Sequence, residues 1–274
     1  MFGFGLSMAI SQVPVRLIGG EKTIVFRNLF VSILLAIPLF FIDPNFAVGA
    51  NNWWLMGLIV VIGYLPLLAY FKAINVGKVG IITPIANSSS LVTVLLSVIF
   101  FREILLPVQM LAVALIIGGI ILLSVNFRDW RSSTLLKAGE GIPYAVFAMF
   151  GWGLVFFLYK FPVTSFGALP AAFLIEAGIL ICSVLYAKSK NISLSLPPKA
   201  ALLPIIAVAV LAALASAFLN LGFARANVSI VAPLAFAGPL LAALYGRLFY
   251  GEKLTTYQWG AVLVILAGIV ILAL

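Results

Sequence analysis

Stretches of about twenty residues without a single charged side chain recur along this 274-residue chain, and they decide the solvent it folds in. In hydrocarbon no water satisfies a backbone N–H or C=O, so a spanning segment is a helix or part of a closed barrel. Barrel strands alternate polar and apolar over about ten residues, whereas these runs are longer and uniformly apolar. The composition agrees: 65% of residues are hydrophobic and 8% charged, where soluble chains hold roughly 45–50% and roughly 25%. The reading is therefore an all-α integral membrane protein.

Windows of about nineteen residues, closed at charges or at Pro and Gly clusters, predict ten transmembrane helices. They fall near 2–18, 24–42, 53–72, 79–101 and 108–125, then near 141–160, 168–187, 201–222, 228–250 and 257–274. Met1 to Ile18 lacks a basic start and a small-residue cleavage site, so it reads as the first helix and not as a signal peptide.

The two sets of five repeat each other. At an offset of 149 residues Pro84 meets Pro233, Leu91 meets Leu240, Glu103 meets Glu252, Gln109 meets Gln258 and Gly119 meets Gly268. Around them FFREILLPVQ stands beside FYGEKLTTYQ. Leu and Gly coincide readily between apolar helices, so the Glu and Gln pairs carry the weight. The expected organisation is a first repeat over 1–126, a connecting loop over 127–140 and a second repeat over 141–274. Because each repeat has an odd number of spans, the second enters the membrane in the opposite sense. Inverted-topology repeats of this kind characterise secondary transporters, with the substrate near the midplane between the repeats.

Several segments resemble the EamA type of the drug/metabolite transporter superfamily, over essentially the whole chain. FGFGLSMAISQVPVRL resembles its first-helix pattern, and Phe26, Arg27 and Asn28 its Arg-containing second-helix start. FGWGLVFFLYK, residues 150–160, resembles the opening of its second repeat through Trp152, Gly153 and Lys160. Pro239, Gly251-Glu252-Lys253 and Gln258-Trp259-Gly260 resemble the closing segment. The resemblance implies ten helices around a central cavity walled by the first, third, fourth, sixth, eighth and ninth, with the seventh peripheral. Its substrates would be amino acids, drugs, sugars, nucleotide sugars or other metabolites. Two positions depart from the pattern: the first helix has no acidic residue, and Ser90 stands where the offset aligns Pro239.

Polar groups inside the membrane mark candidate sites because each must be paired or hydrated. Glu176 lies in AAFLIEAGILICSVL, roughly eight residues or about 12 Å into its helix. It is the candidate coupling residue, and Arg27, Lys160 and Arg225 are its candidate ion-pair partners. Ser11 and Gln12 in the first helix, and Asn87 and Ser90 in the fourth, are candidate substrate contacts; Ser7 and Ser97 extend the two polar clusters. Small hydroxyl residues also serve close helix packing, while the larger amides of Gln12 and Asn87 are costlier to leave unpaired. Tyr64, Trp152, Tyr159, Phe236 and Tyr245 are candidate aromatic lining. Trp53, Trp54 and Trp259 sit at helix ends, as interface anchors do. Pro66, Pro84, Pro162, Pro204, Pro233 and Pro239 each remove a helical hydrogen bond. For Glu103 and Glu252, beside Arg102 and Lys253, local salt bridging or helix capping is expected.

The net charge of +9 comes from basic residues scattered singly between apolar runs, a topology signal and not a nucleic-acid footprint. Loops after the odd-numbered helices hold twelve Lys and Arg, from Arg16, Lys22 and Arg27 to Lys253, against Arg102, Lys160 and Arg225 in the others. The positive-inside rule then places both termini outside, whereas the resemblance implies cytoplasmic termini. Cys182 stands alone and there is no His, so neither a disulfide nor a metal site is expected. No phosphate-binding loop of the G-x-x-x-x-G-K-[ST] form occurs, no cofactor is implied, and a lone buried Glu is poor material for a membrane enzyme.

The leading expectation is a secondary transporter, an exporter or exchanger of an amino acid or similarly small metabolite in a prokaryotic plasma membrane, working by alternating access. Its partners would be the solute, a proton or counter-substrate and the lipid bilayer, in a monomer or weak dimer. Multidrug efflux is the alternative; a lipid-modifying enzyme or a non-transporting receptor is the alternative of another class.

Overall fold

The computed structural model describes residues 2–44, 46–76, 82, 85–124, 141–241 and 255–273. Pro84, Tyr245, the Gly251-Glu252-Lys253 segment and the loop cations Lys78, Arg128, Arg131 and Lys137 lie outside these residues.

Helices run in the order α1 (Phe2–Ile18), α2 (Gly20–Ala36), α3 (Ala50–Val76), α4 (Ser89–Phe100), α5 (Pro107–Ser124), α6 (Ile142–Leu158), α7 (Lys160–Phe166), α8 (Ala168–Ser189), α9 (Lys199–Arg225), α10 (Val228–Phe236) and α11 (Thr256–Ala273). Five described stretches are long and apolar enough to cross a bilayer: 20–41, 50–76, 142–166, 168–189 and 199–225. Five shorter apolar helices, near 2–18, 85–100, 107–123, 228–241 and 256–272, complete the expected ten.

Proline and glycine set the interruptions. Pro162 has no N–H for the Leu158 carbonyl, and the sixth span breaks at Tyr159 between α6 and α7. Pro38 sits where α2 tightens into a 3-10 turn, Ile37–Phe41. The tenth helix ends at Phe236, and the chain resumes helically at Gly238 beside Pro239. The α1–α2 and α7–α8 corners both turn on a left-handed glycine, Gly19 at φ 86° and Gly167 at φ 89°, a conformation that a side chain would strain.

These corners are equivalent in the two halves, and the packing repeats the relation contact by contact. A Cβ on Gly119 of α5 would lie 2.6 Å from Ile265 and 3.1 Å from the Ala261 carbonyl of α11. A Cβ on Gly268 of α11 would lie 2.8 Å from both Ile116 and the Ala112 carbonyl of α5. All three pairs, 112/261, 116/265 and 119/268, keep the offset of 149. Contacts run down α11 as they run up α5, so the two helices are antiparallel and related by a pseudo-two-fold axis. The same holds deeper in: Gly5 abuts Gly238 as Gly153 abuts Ser89, with an offset of 148 in the first two helix pairs and 149 from the third. Between helices in lipid there is little hydrophobic driving force, so close backbone approach through small residues holds them together.

Buried side chains form a central core from α3, α6, α8, α9 and α10, including Ile59, Tyr70, Trp152, Ile175 and Phe223. Outward-facing residues are large and apolar: Phe40, Phe41 and Trp54 are each at least 80% exposed, a surface that suits lipid and not water.

One long-range polar contact joins the halves at a helix end. Arg102 takes φ 52°, and the next residue, Glu103, lies between α4 and α5 and reaches α10 of the other half. Its carboxylate accepts from the Val228 and Ser229 backbone N–H groups, each at 2.9 Å, and from the Ser229 hydroxyl. Glu103 is thus a helix cap, as one of its two sequence readings expected, but of a distant helix, where unsatisfied N–H groups and the helix dipole both favour an anion.

Candidate functional site

A carboxylate in the hydrocarbon is held by what it can be paired with. Glu176 of α8 is 7% exposed, and Arg27 of α2 donates to its Oε2 from Nη1 at 3.2 Å. The Asn28 amide donates to the same oxygen at 3.3 Å, and Arg27 Nη1 also reaches Asn28 Oδ1 at 2.6 Å. Of the three candidate cations the structure selects Arg27. Lys160 instead donates to the Phe223 carbonyl at 2.7 Å, near the C-terminus of α9, where the helix dipole favours a cation. Arg27, counted in the sequence among the loop cations, lies within α2. At the offset of 148 that relates residues 20–41 to residues 168–189, Glu176 is the counterpart of its amide partner Asn28, and Arg27 is the residue before it. A residue that touches its own counterpart lies at the pseudo-two-fold axis, so the ion pair sits beside it.

A cavity of about 90 Å³ opens beside this pair. Five pairs in its lining are related by the repeat: Phe4 with Trp152, Met8 with Phe156, Ser11 with Tyr159, Leu67 with Ser216, and Tyr70 with Leu219. The two halves contribute alike, as a cavity straddling the axis requires. Ser7 and Ser11 donate to the Phe4 and Met8 carbonyls of their own helix at 3.0 and 2.8 Å, which leaves them acceptor capacity. Much of the rest of the wall is aromatic. Phe236 lies 5.9 Å from Phe4 and 4.4 Å from Phe156, and Trp152 lies 5.2 Å from Tyr70.

Of the residues singled out in the sequence, Ser7, Ser11, Trp152, Tyr159, Phe236 and Glu176 line this cavity. Tyr64 is buried outside the lining, with its ring 6.1 Å from that of Tyr186. Gln12 is half-buried on α1 and not in the lining. Asn87 and Ser90 are buried next to each other outside it, where α4 packs on α6 and Thr93 donates to the Gly153 carbonyl at 3.0 Å. Tyr245 lies outside the described residues. The wall draws on the second span through Arg27 and on the seventh through Glu176 and Ile179, while no described residue of the fourth contributes.

Arg27, read in the sequence as a candidate ion-pair partner and not as a cavity residue, and Tyr70, Phe71 and Phe156, not named there, also line the cavity. The signal that finds Tyr70 and Phe156 is the repeat offset applied residue by residue: 148 from Met8 leads to Phe156, and 149 back from Leu219 leads to Tyr70.

Two inverted five-helix halves around a shared polar cavity define a polytopic membrane protein. The chain belongs to the EamA-like transporter family, whose family model matches residues 1–125 and 139–274. An uncharacterized protein of Methanocaldococcus jannaschii is 44% identical over 69 residues, 25% of this chain and 48% of the relative, so the match spans about half of that relative's length. A protein of known crystal structure superposes with a TM-score of 0.76 at 16% identity, covering 98% of this chain and 94% of its own. At that identity the likeness concerns the fold.

Proposed function

We propose that this protein is a secondary transporter that carries a small metabolite, an amino acid or a comparable solute, across a prokaryotic plasma membrane as an exporter or exchanger. The observation that carries the reading is the cavity beside the Arg27–Glu176 pair, walled by residues of both halves, five pairs of them related by the repeat. A site on such an axis meets equivalent surroundings when the halves exchange conformations, which is the geometric requirement for alternating access around a fixed site. Family membership supports transport. Two repeats of 1–126 and 141–274, joined by 127–140, supply the two moving bodies. Ser11, Trp152, Tyr159 and Phe236 would contact the solute, and Glu176 with Arg27 would sense its charge.

Counterflow tests this. Purified protein in liposomes preloaded with one unlabelled solute is expected to accumulate the labelled form transiently and saturably, for one class among amino acids, sugars and nucleosides. Exchange of none of them by folded protein contradicts the metabolite reading; saturable movement of lipophilic cations alone replaces it with drug efflux.

A further inference from the structure

The ion pair at the axis is chemically lopsided, and the imbalance says what the cavity takes. Arg27 and Glu176 together are neutral, and both line the cavity. Only Nη1 of the guanidinium faces Glu176 Oε2 within hydrogen-bonding distance, so the planar fork that suits a carboxylate bidentately is used on one tine. A solute that separates the pair leaves one member without its partner in a low-dielectric site. Arg27 cannot shed its charge, because guanidinium stays protonated in proteins. Glu176 can, by taking a proton. A cation competing for Glu176 would strand a permanent charge; an anion competing for Arg27 would not.

We propose that Arg27 anchors a carboxylate of the transported solute and that Glu176 is the resident occupant of that anchor, displaced by the solute. The inference rests on the transport reading and names the substrate class of the same cavity: a monocarboxylate on a largely apolar body, since the surrounding wall is mostly Phe, Trp, Met, Leu, Ile and Val, with the Ser7, Ser11 and Ser216 hydroxyls and the Tyr70 and Tyr159 phenols among them. The charge balances as follows. The solute anion replaces the Glu176 carboxylate at Arg27, and Glu176 accepts one proton from the compartment the solute came from. When the solute departs on the other side, Glu176 loses that proton there and pairs with Arg27 again. Empty and loaded sites are then both neutral, the condition for crossing hydrocarbon cheaply. The other titratable groups in the lining are the phenols of Tyr159 and Tyr70, and Asn28 adds a neutral amide. An amino acid presents the same carboxylate but brings its own ammonium for Glu176, so it binds with no proton taken up.

Calorimetric titration in buffers of different ionisation enthalpy reads affinity and proton uptake together. The probes are 3-phenylpropionate, its amide, 3-phenylpropylamine and phenylalanine, with an isobutyl-bodied set of the same head groups. The carboxylates are expected to bind at least about tenfold tighter than the amide and the amine, with about one proton taken up per anion and none with the amino acid. Arg27→Gln loses the preference. Because that variant leaves Glu176 unpaired and can fail to fold, Glu176→Gln is the second arm. It keeps the volume, removes the competing charge, and is expected to bind the carboxylates about tenfold tighter at alkaline pH with no proton uptake. Carboxylates binding no better than amides, no carboxylate binding by folded protein, or a Glu176→Gln variant that binds them no tighter overturns the proposal. Counterflow of any other solute through such protein leaves the transport reading standing.

Discussion

Single residues carry the polar logic of this molecule, because in lipid a group without a partner is expensive. Glu103 shows how one carboxylate joins two halves. It occupies the start of α10 through two backbone N–H groups at 2.9 Å each and the Ser229 hydroxyl, 125 residues further along the chain. Glu103→Ala strands those donors and is expected to destabilise the fold by about 1–3 kcal/mol, read as a lower midpoint for heat-induced loss of the monodisperse peak in detergent. An unchanged midpoint would show that water replaces the carboxylate without penalty. Glu103→Gln is expected to fall between the two, since it keeps an acceptor and loses the charge favoured at a helix start. The sequence showed Glu103 as half of a repeated pair but not what it touches, because a cap across two repeats is invisible to local spacing. Glu176 was legible as a buried carboxylate needing a cation. Which of Arg27, Lys160 and Arg225 supplied it depended on how α2 packs on α8, a contact between halves that no hydropathy window contains.

At the scale of elements, helix count and order were legible from apolar runs, and several of the boundary errors share a cause. Windows closed at charges, yet a charged residue can belong to a helix when its head group reaches the membrane surface. The second span starts at Gly20, before Glu21 and Lys22, where the window opened at 24, and Lys22 donates to Ser195 at 3.0 Å. The third continues past Lys72 to Val76. The sixth runs on beyond Lys160 to Phe166, with its break produced by Pro162 and its end by Gly167. The α5–α11 contact offers an element-level test. Because Gly119 and Gly268 are symmetry mates against each other's helix, Gly119→Val and Gly268→Val are expected to destabilise to a similar extent, about 1–3 kcal/mol each. Gly57→Ala and Gly260→Ala, where a Cβ meets nothing within 4 Å, are the controls expected to be silent. Thermal unfolding of the four variants decides it; unequal loss at the two paired positions would count against the pseudo-symmetric packing.

For the whole molecule, the inverted repeat ties architecture to activity. Five spans per half turn the second half over, and the pseudo-two-fold axis this creates passes beside the Arg27–Glu176 pair and through a cavity walled equally by both halves. The lysines and arginines between spans bear on which face is which. With Arg27 assigned to α2, the remaining cations of the first set still outnumber the second, so both termini are expected outside. A protease-cleavable tag at either end, removed by external protease from intact cells, checks this, and protection of both tags reverses the orientation.

Alternating access makes the sharpest claim, that a single site opens to each face in turn. Ser11 is 3% exposed and lines the cavity, and Cys182 is the chain's single thiol. In a Cys182→Ser background, Ser11→Cys can be challenged with a membrane-impermeant maleimide from the outside of right-side-out vesicles and, separately, of inside-out vesicles. The account expects labelling from both faces, slowed on both by a transported solute. Labelling from one face alone, under every solute condition, would contradict it.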